Sequence, residues 1–432
     1  MVLEKRDLLN RFGIGLYTMF SCLIMSIVNI PQIHILLFWG LVLWAIIESK
    51  FDLFHPYFWF SLFFGLYSSA NALLYSTNSS YSYHQLCMPM FAMAIVLCVV
   101  GSQKIDNIKF NNFSEKITES ALKYAIWILI VITVAFSIVI NSRGYYSKVQ
   151  MRIQGDSMYS LGVHIARFLT FFINLYLASV LAKHKKISWG MLIGGGLASL
   201  VFSLVTSERD VLFRFGYTII LLLIAYNIID RKKLLIVFPT AMVAMTLSVY
   251  FKHYFLRGTL NDTFIRGGNI FSQFLSSDFT AAGNNLQYLI DTPGTKGLFG
   301  IQMYLTEFFN PILIGYKGTN PDYWFNSVIH HSSFGHAFTL VGTGYIIGGY
   351  FGVFLVFLTV AIIIKKFYVK STVNLYWFTS YIYMSSVVIF SFRQSLRSIT
   401  GAMAKHVLLA VILCYVISKV RVNNISGNKN AK

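Results

Sequence analysis

The sequence predicts an all-α, polytopic integral membrane protein with about 12 transmembrane helices. Hydrophobic residues make up 56% of the 432-residue chain and charged residues only 12%. A soluble domain carries about twice that charged fraction. The mean hydropathy is +0.63, and the apolar residues are grouped into runs separated by short polar segments. Little of the chain therefore remains for a separate soluble domain.

The apolar runs approach the roughly 20 residues that a helix needs to cross a bilayer. The predicted spans are 12–29, 33–48, 57–75, 86–100, 121–140, 161–181, 189–205, 211–229, 234–251, 339–364, 373–390 and 404–419. Some runs, such as 86–100, are short enough to be re-entrant or half-length segments. We detect no internal repeat.

One connection is much longer than the others and divides the chain into three parts. Residues 1–251 hold the first nine spans, residues 252–338 form the long loop, and residues 339–432 hold the last three spans and a polar tail. Loops of this length are usually functional. Within it, 269–290 and 298–309 have apolar residues at helical spacing, which predicts amphipathic helices lying at the membrane interface.

The basic residues are distributed unequally between the two sides of this topology. The side that carries both termini holds 17 Lys and 4 Arg, whereas the other side, including residues within spans, holds 5 Lys and 9 Arg. Lysine-rich loops mark the cytoplasmic side, so we expect both termini in the cytoplasm and the long loop outside. The positive-inside rule predicts few basic residues on the outer side, so the arginines there need another explanation. Arginine is the residue best suited to bidentate contacts with an oxyanion.

Composition and motifs exclude several functions. Most of the net charge of +19 is explained by the cytoplasmic lysines, and no basic soluble module points to nucleic acid. Cys22, Cys87, Cys98 and Cys414 all lie in apolar segments without metal-ligand spacing. We find no phosphate-binding glycine loop, dinucleotide fingerprint or Asp-x-Asp motif, so we expect no cofactor, no metal and no direct use of a nucleotide.

Outer-side arginines are the candidate ligands for a bound anion, with phosphate the leading choice. The strongest is Arg209, in the tight Ser207–Asp210 connection, although a salt-bridged turn is the alternative. Arg257 and Arg266 adjoin glycines whose backbone amides can form an anion nest, or they are solvated loop charges. The remaining candidates are Arg393 and Arg397, which share one face if helical and otherwise snorkel to lipid headgroups, and Arg143.

Three histidines end the long loop: His330, His331 and His336. A histidine can serve as a general base because its ordinary pKa lies near working pH. The alternatives are a zinc site, for which acidic or cysteine ligands at suitable spacing are absent, and simple polar capping of the next span. Our order of preference for the base is His331, His336 and His330.

These features resemble those of the Wzy-type O-antigen polymerases and, more distantly, the O-antigen ligases. The shared features are about a dozen spans, a large late periplasmic loop and arginines at periplasmic helix ends. Residues 206–210 resemble the small-residue-then-arginine turn of these families, and 331–336 with the following glycines resemble the segment after their large loop. The adjacent histidines depart from the ligase pattern of His followed by Asn.

The resemblance implies a periplasm-facing, metal-independent glycosyltransferase in the bacterial inner membrane. Its substrate would be an undecaprenyl-pyrophosphate-linked oligosaccharide, its surroundings membrane lipid, and a chain-length regulator protein a candidate partner. The alternatives are an O-antigen ligase and a flippase for the same lipid-linked sugar. Transporters usually show internal repeats and helices broken near the membrane midplane, and the sequence shows no repeat.

Overall fold

The computed structural model describes residues 2–75, 81–103, 119–143, 157–184, 186–206, 208–229, 279–309, 311, 320–329, 331 and 338–419. Their regular structure is helical throughout, and we label the helices in chain order. The first eight are α1 Val2–Ile27, α2 Pro31–Glu48, α3 Pro56–Tyr75, α4 His84–Val100, α5 Glu119–Ser142, α6 Ser157–His184, α7 Trp189–Thr206 and α8 Arg209–Ala225. The predicted ninth span, 234–251, lies outside the described residues.

The second group of helices begins within the predicted long loop. These helices are α9 Thr280–Asp291, α10 Gly300–Phe309, α11 Pro321–Trp324, α12 Leu340–Gly348, α13 Tyr350–Lys370, α14 Leu375–Ser391, α15 Arg397–Ala402 and α16 Leu409–Lys419. A π-helical turn, Phe325–Ile329, extends α11, and a second, Met403–Leu408, joins α15 to α16.

Seven segments of the described chain are long and apolar enough to cross a membrane: Lys5–Ile27, Pro31–Glu48, Glu119–Ser142, Ser157–His184, Trp189–Thr206, Tyr350–Lys370 and Arg397–Val416. The outer helices also expose apolar side chains on the face away from the bundle. In α5, for example, Val131 and Ile138 are both 65% exposed. A helix that is apolar on all sides is suited to lipid rather than to water. The chain is therefore a helical membrane protein.

The centre of the bundle is formed by α14, in which 15 of 17 residues are buried. The hydroxyl groups of Ser385, Ser386 and Ser391 donate to backbone carbonyls of the same helix. Ser385 donates to the carbonyl of Ile382 at 2.7 Å, and Ser391 donates to that of Val387 at 2.7 Å. Because a buried hydroxyl without a partner is costly, this local bonding lets a helix with several serines remain in the core.

Contacts between helix ends agree with the alternating direction of the predicted spans. At one end, Lys183 of α6 lies 2.9 Å from Glu119 at the start of α5. The backbone N–H of Ser102, just after α4, donates to Asp7 of α1 at 2.8 Å. These helix ends were all predicted to lie on the lysine-rich side.

The predicted span 339–364 is not one straight helix. The chain turns sharply at Gly349, whose φ of +61° favours glycine, and α12 folds against α13. A Cβ atom on Gly344 would lie 2.5 Å from the Cα of Val353, so the two backbones are nearly in contact. The N–H groups of Gly297 and Phe299 bond the carbonyls of Tyr345 and Ile346 near the end of α12.

The two helices predicted in the long loop are present but differ in environment. α9 covers the second half of the predicted 269–290 segment and packs into the bundle against α3, with Ala282, Leu286 and Leu289 buried. The amide of Gln85 at the start of α4 donates to the carbonyl of Gly283 at 3.4 Å. α10 matches the predicted 298–309 segment and retains one exposed apolar face. α9 is thus part of the bundle rather than a helix lying on a membrane surface.

Candidate functional site

A buried ionic cluster joins α6 to α8. Asp210 accepts from Arg167 at 2.7 Å and from the Nε of Arg214 at 3.2 Å, both at its Oδ2. The side chain of Asp210 is 0% exposed, that of Arg214 is 3% exposed and that of Arg167 is 18% exposed. We call these three residues the arginine–aspartate cluster.

The local sequence explains how the cluster forms. Asp210 is in the first turn of α8, where the helix dipole favours a negative charge. Arg214 follows four residues later, so it lies on the same face of the helix. Just before α8, the buried Glu208 accepts a hydrogen bond from Tyr159 of α6. Both acidic residues of the 207–210 connection are therefore turned into the protein.

The cluster retains hydrogen-bond donors that the described protein does not use. Nε of Arg167 and Nη1 of Arg214 are buried and have no partner among the described residues. A buried donor without a partner costs about 1–3 kcal/mol. Two guanidinium groups with spare donors around one carboxylate form a site that can accept an oxyanion.

A third arginine, Arg393, lies over the same aromatic ring as Arg214 of this cluster. The guanidinium carbon of Arg393 lies 4.6 Å from the ring centroid of Phe390, and that of Arg214 lies 5.5 Å from the same centroid. Cation–π attraction operates at these distances. Arg167 and Arg214 therefore share Asp210, and Arg214 and Arg393 share the ring of Phe390, so these contacts link three arginines from three separate segments. We call these three residues the arginine triad.

A histidine pair lies beside the cluster. Nδ1 of His164 and Nε2 of His406 are 2.8 Å apart, a hydrogen bond between α6 and the π-helical turn that follows α15. His406 is 3% exposed, whereas His164 is half-buried. Tyr383 of α14 completes the surroundings, with its hydroxyl close to Arg214 and its ring 6.3 Å from that of His406.

Glu307 secures the segment that carries Arg393 and Arg397. Its carboxylate, fully buried, accepts from the backbone N–H of Arg397 at 2.9 Å, and its carbonyl accepts from Thr400 at 2.9 Å. Burial raises the pKa of Glu307 to about 7, and the nearby charge of Asp322 also raises it. Hydrogen bonds from the Arg397 N–H and the Ser395 hydroxyl, and the charge of Arg397, lower the pKa but do not offset burial. The helix α10 is in this way fixed to the start of α15.

The structure places the predicted arginines in different environments. Arg393 belongs to the arginine triad, and Arg397 begins α15 beside Glu307. Arg209 is half-buried at the start of α8, one residue before the aspartate of the cluster. Arg143 is exposed just after α5, and the predicted Arg257 and Arg266 lie outside the described residues.

Of the predicted histidines, only His331 is described. It is exposed and has a left-handed backbone, with φ of +46°. His330 and His336 lie outside the described residues. The histidines that the structure brings next to the arginines are instead His164 and His406.

Several residues of this site were not selected from the sequence. Arg167, His164, His406 and Glu307 are isolated polar residues within apolar helices, and each taken alone resembles an ordinary core or interface residue. The available signal was their position, because an ionisable residue within a membrane helix is a functional candidate by default. Among the described residues, no group of three or more His, Cys, Asp or Glu is arranged to hold a metal ion.

Comparison with known proteins gives no match: no family model, no curated protein and no solved structure is similar to the chain. The function is therefore inferred from the chemistry of the site.

Proposed function

We propose that this protein is an O-antigen or related surface-polysaccharide polymerase of the bacterial inner membrane. In the proposed reaction, a growing glycan leaves undecaprenyl pyrophosphate and is joined to a sugar hydroxyl of another lipid-linked repeat unit. The active site would face the periplasm, and both termini would be cytoplasmic. No nucleotide is needed because the sugar–pyrophosphate bond is already activated.

The observation that supports this proposal is the arginine triad, whose members are linked through Asp210 and the ring of Phe390. The lysine distribution assigns the side on which these three arginines lie to the periplasm. Arginine presents a planar pair of donors that matches phosphate oxygens, and two of these guanidinium groups retain unused donors. A pyrophosphate held there would remain at the membrane surface, with its lipid tail in the bilayer.

The same arrangement suits the bond-breaking step. As the anomeric C–O bond breaks, negative charge develops on the pyrophosphate, and preorganised positive groups stabilise that charge most effectively where water is excluded. The incoming hydroxyl must also lose a proton to a base. The loop histidines, with His331 first, are the base predicted from sequence, and the structure adds His164 as a second candidate.

Deletion of the gene and complementation with variants test the proposal. Loss of the long polysaccharide ladder on a gel, with a single repeat unit still attached to the lipid acceptor, is expected for a polymerase. Arg393→Ala should reproduce that loss, and Arg393→Lys should shorten the chains because the planar fork is lost. Arg6→Ala is the matched control, since Arg6 is 69% exposed and lies at the opposite, lysine-rich end.

Two outcomes of this experiment would contradict the proposal. Loss of even the single repeat would indicate a ligase or an exporter. Full-length chains made by the Arg393→Ala variant, at a normal protein level, would remove the arginine triad from the mechanism.

A flippase for the same lipid-linked oligosaccharide is the second candidate, and the break at Gly349 favours it. Transporters often have discontinuous helices at their substrate site, and α12 and α13 are separated by one glycine. Reconstituted vesicles loaded with fluorescent lipid-linked sugar distinguish the two functions. Movement of the label between leaflets without chain growth would support the flippase, and chain growth in detergent solution would support the polymerase.

A further inference from the structure

His164 and His406 form a hydrogen-bonded pair in which one residue is buried and the other is half-buried. His406 is buried, and the ring of Phe168 lies 6.0 Å from it. His164 is half-buried. The Nδ1 of His164 is occupied by its partner at 2.8 Å, which leaves Nε2 as the nitrogen available to another molecule.

His164 lies within one helical turn of Arg167, one member of the arginine triad. His164 and Arg167 are three residues apart on α6 and therefore occupy the same face, with Cβ atoms about 5–6 Å apart. The charged and titratable groups around the pair are Arg167 on α6, Asp210 and Arg214 on α8, Tyr383 on α14, and Lys405 next to His406. A base at this position would lie close to a pyrophosphate held by the arginines.

We infer that His164, positioned by His406, accepts the proton of the acceptor sugar hydroxyl. This inference rests on the proposed function. The hydroxyl oxygen forms a bond to the anomeric carbon as the bond from that carbon to the pyrophosphate oxygen breaks. The electron pair of the broken bond remains on the pyrophosphate, and the hydroxyl proton moves to Nε2 of His164.

His406 has a positioning role in this scheme. When His164 donates its Nδ1 proton to Nε2 of His406, the lone pair of its own Nε2 points away from the partner. Once His164 has taken up the second proton, the same hydrogen bond becomes charge-assisted and therefore stronger. A base oriented by a third group is a recurring arrangement in enzymes that activate a hydroxyl.

The test uses the full-length protein in proteoliposomes with lipid-linked repeat units extracted from a host strain that lacks this gene. Initial rates of chain extension are measured for wild type, His164→Gln, His406→Gln, His406→Leu and His331→Gln. Removal of a general base costs about 10²–10⁴ in rate. We expect His164→Gln to lower kcat at least about 100-fold with KM for the lipid-linked unit changed less than about twofold.

The two His406 variants separate positioning from folding. Glutamine retains an oxygen that can accept from His164, so His406→Gln should keep most of the rate. Leucine cannot accept, so His406→Leu should lower kcat and move the acid limb of the pH–rate profile to lower pH. A purely structural role would leave that limb in place. If His164→Gln fails to fold, His164→Ala with imidazole added to the medium provides the second measurement, and imidazole should restore part of its rate.

The failures of the two proposals are distinguishable. Wild-type protein that extends no chains would overturn the polymerase proposal and this inference with it. Chain extension by wild type and by His164→Gln at similar rates, with loss in His331→Gln, would leave the polymerase intact and assign the base to the long loop. Absence of imidazole rescue in a folded His164→Ala variant would also contradict the inference.

Discussion

Replacing Glu307 with glutamine should remove a pH dependence from the stability of the fold. Glu307 is fully buried, and its pKa is raised from the ordinary 4.5 to about 7. A carboxyl group whose pKa is raised in the folded state holds its proton more tightly when folded. Its contribution is therefore most favourable below about pH 4.5, is lost as the pH rises toward 7, and is constant above that.

The expected magnitude follows from the size of this change. One pKa unit corresponds to about 1.4 kcal/mol, so a rise from 4.5 to about 7 corresponds to about 3 kcal/mol of folding free energy lost between these two pH values. For a chain of this size we expect the melting temperature to fall by roughly 3–6 °C over that interval. Glutamine is neutral at every pH and can still accept from the Arg397 N–H, so Glu307→Gln should lack this fall.

Thermal unfolding in nanodiscs, followed by tryptophan fluorescence from pH 4.5 to 8, measures the effect. The relevant quantity is the difference between wild type and Glu307→Gln at each pH, which removes the titration of all other groups. Glu119→Gln is the control, because Glu119 forms an ion pair with Lys183 at the opposite end of the bundle. A difference between wild type and Glu307→Gln that does not vary with pH, or that favours wild type as the pH rises, would show that Glu307 is not protonated more readily in the folded state.

Three further predictions concern the cluster, the helix break and the topology. Asp210→Asn leaves two buried guanidinium groups without their carboxylate and should destabilise the protein by about 3–5 kcal/mol. The control Glu48→Gln removes an ion pair of 3.8 Å between Glu48 and Arg6 and should cost at most about 1 kcal/mol. Equal unfolding midpoints for the two variants would show that the cluster does not stabilise the fold. Gly352→Ala would place a Cβ against the carbonyl oxygen of Gly344 and should destabilise the fold by about 1–3 kcal/mol. In the control Gly216→Ala, no atom lies within 4 Å of the new Cβ. That variant should be neutral or stabilise the fold by up to about 1 kcal/mol. A reporter fused at Lys296 should report the periplasm, and a cytoplasmic signal there would reverse the side to which the arginines are assigned.

The sequence was sufficient to predict most of the helices because long apolar runs have few alternatives in a membrane. The sequence did not reveal the turn at Gly349. The hydropathy of 339–364 is the same whether these residues form one straight helix or two helices joined by a turn. The close approach of Gly344 to Val353 depends on tertiary packing, which a hydropathy pattern does not contain.

The site was predicted only in part for a related reason. The Glu208–Asp210 turn and Arg393 were visible as charges at helix ends, and the structure brings Arg393 to the cluster. His164 and His406 meet across 242 positions of sequence. Nothing local to either residue indicates the other, so such a pair can be found only once the helices are assembled.

The pairing of Arg167 with Asp210 also has a consequence for biosynthesis. The two residues are 43 positions apart, so Arg167 reaches the membrane before the carboxylate that neutralises it. An unpaired arginine within a membrane helix costs about 2.5–3.5 kcal/mol at the helix centre. We therefore expect α6, α7 and α8 to become stable in the membrane as one unit. A chain truncated after Thr206 should be degraded faster in cells than one truncated after Asn227, and Arg167→Leu should abolish that difference.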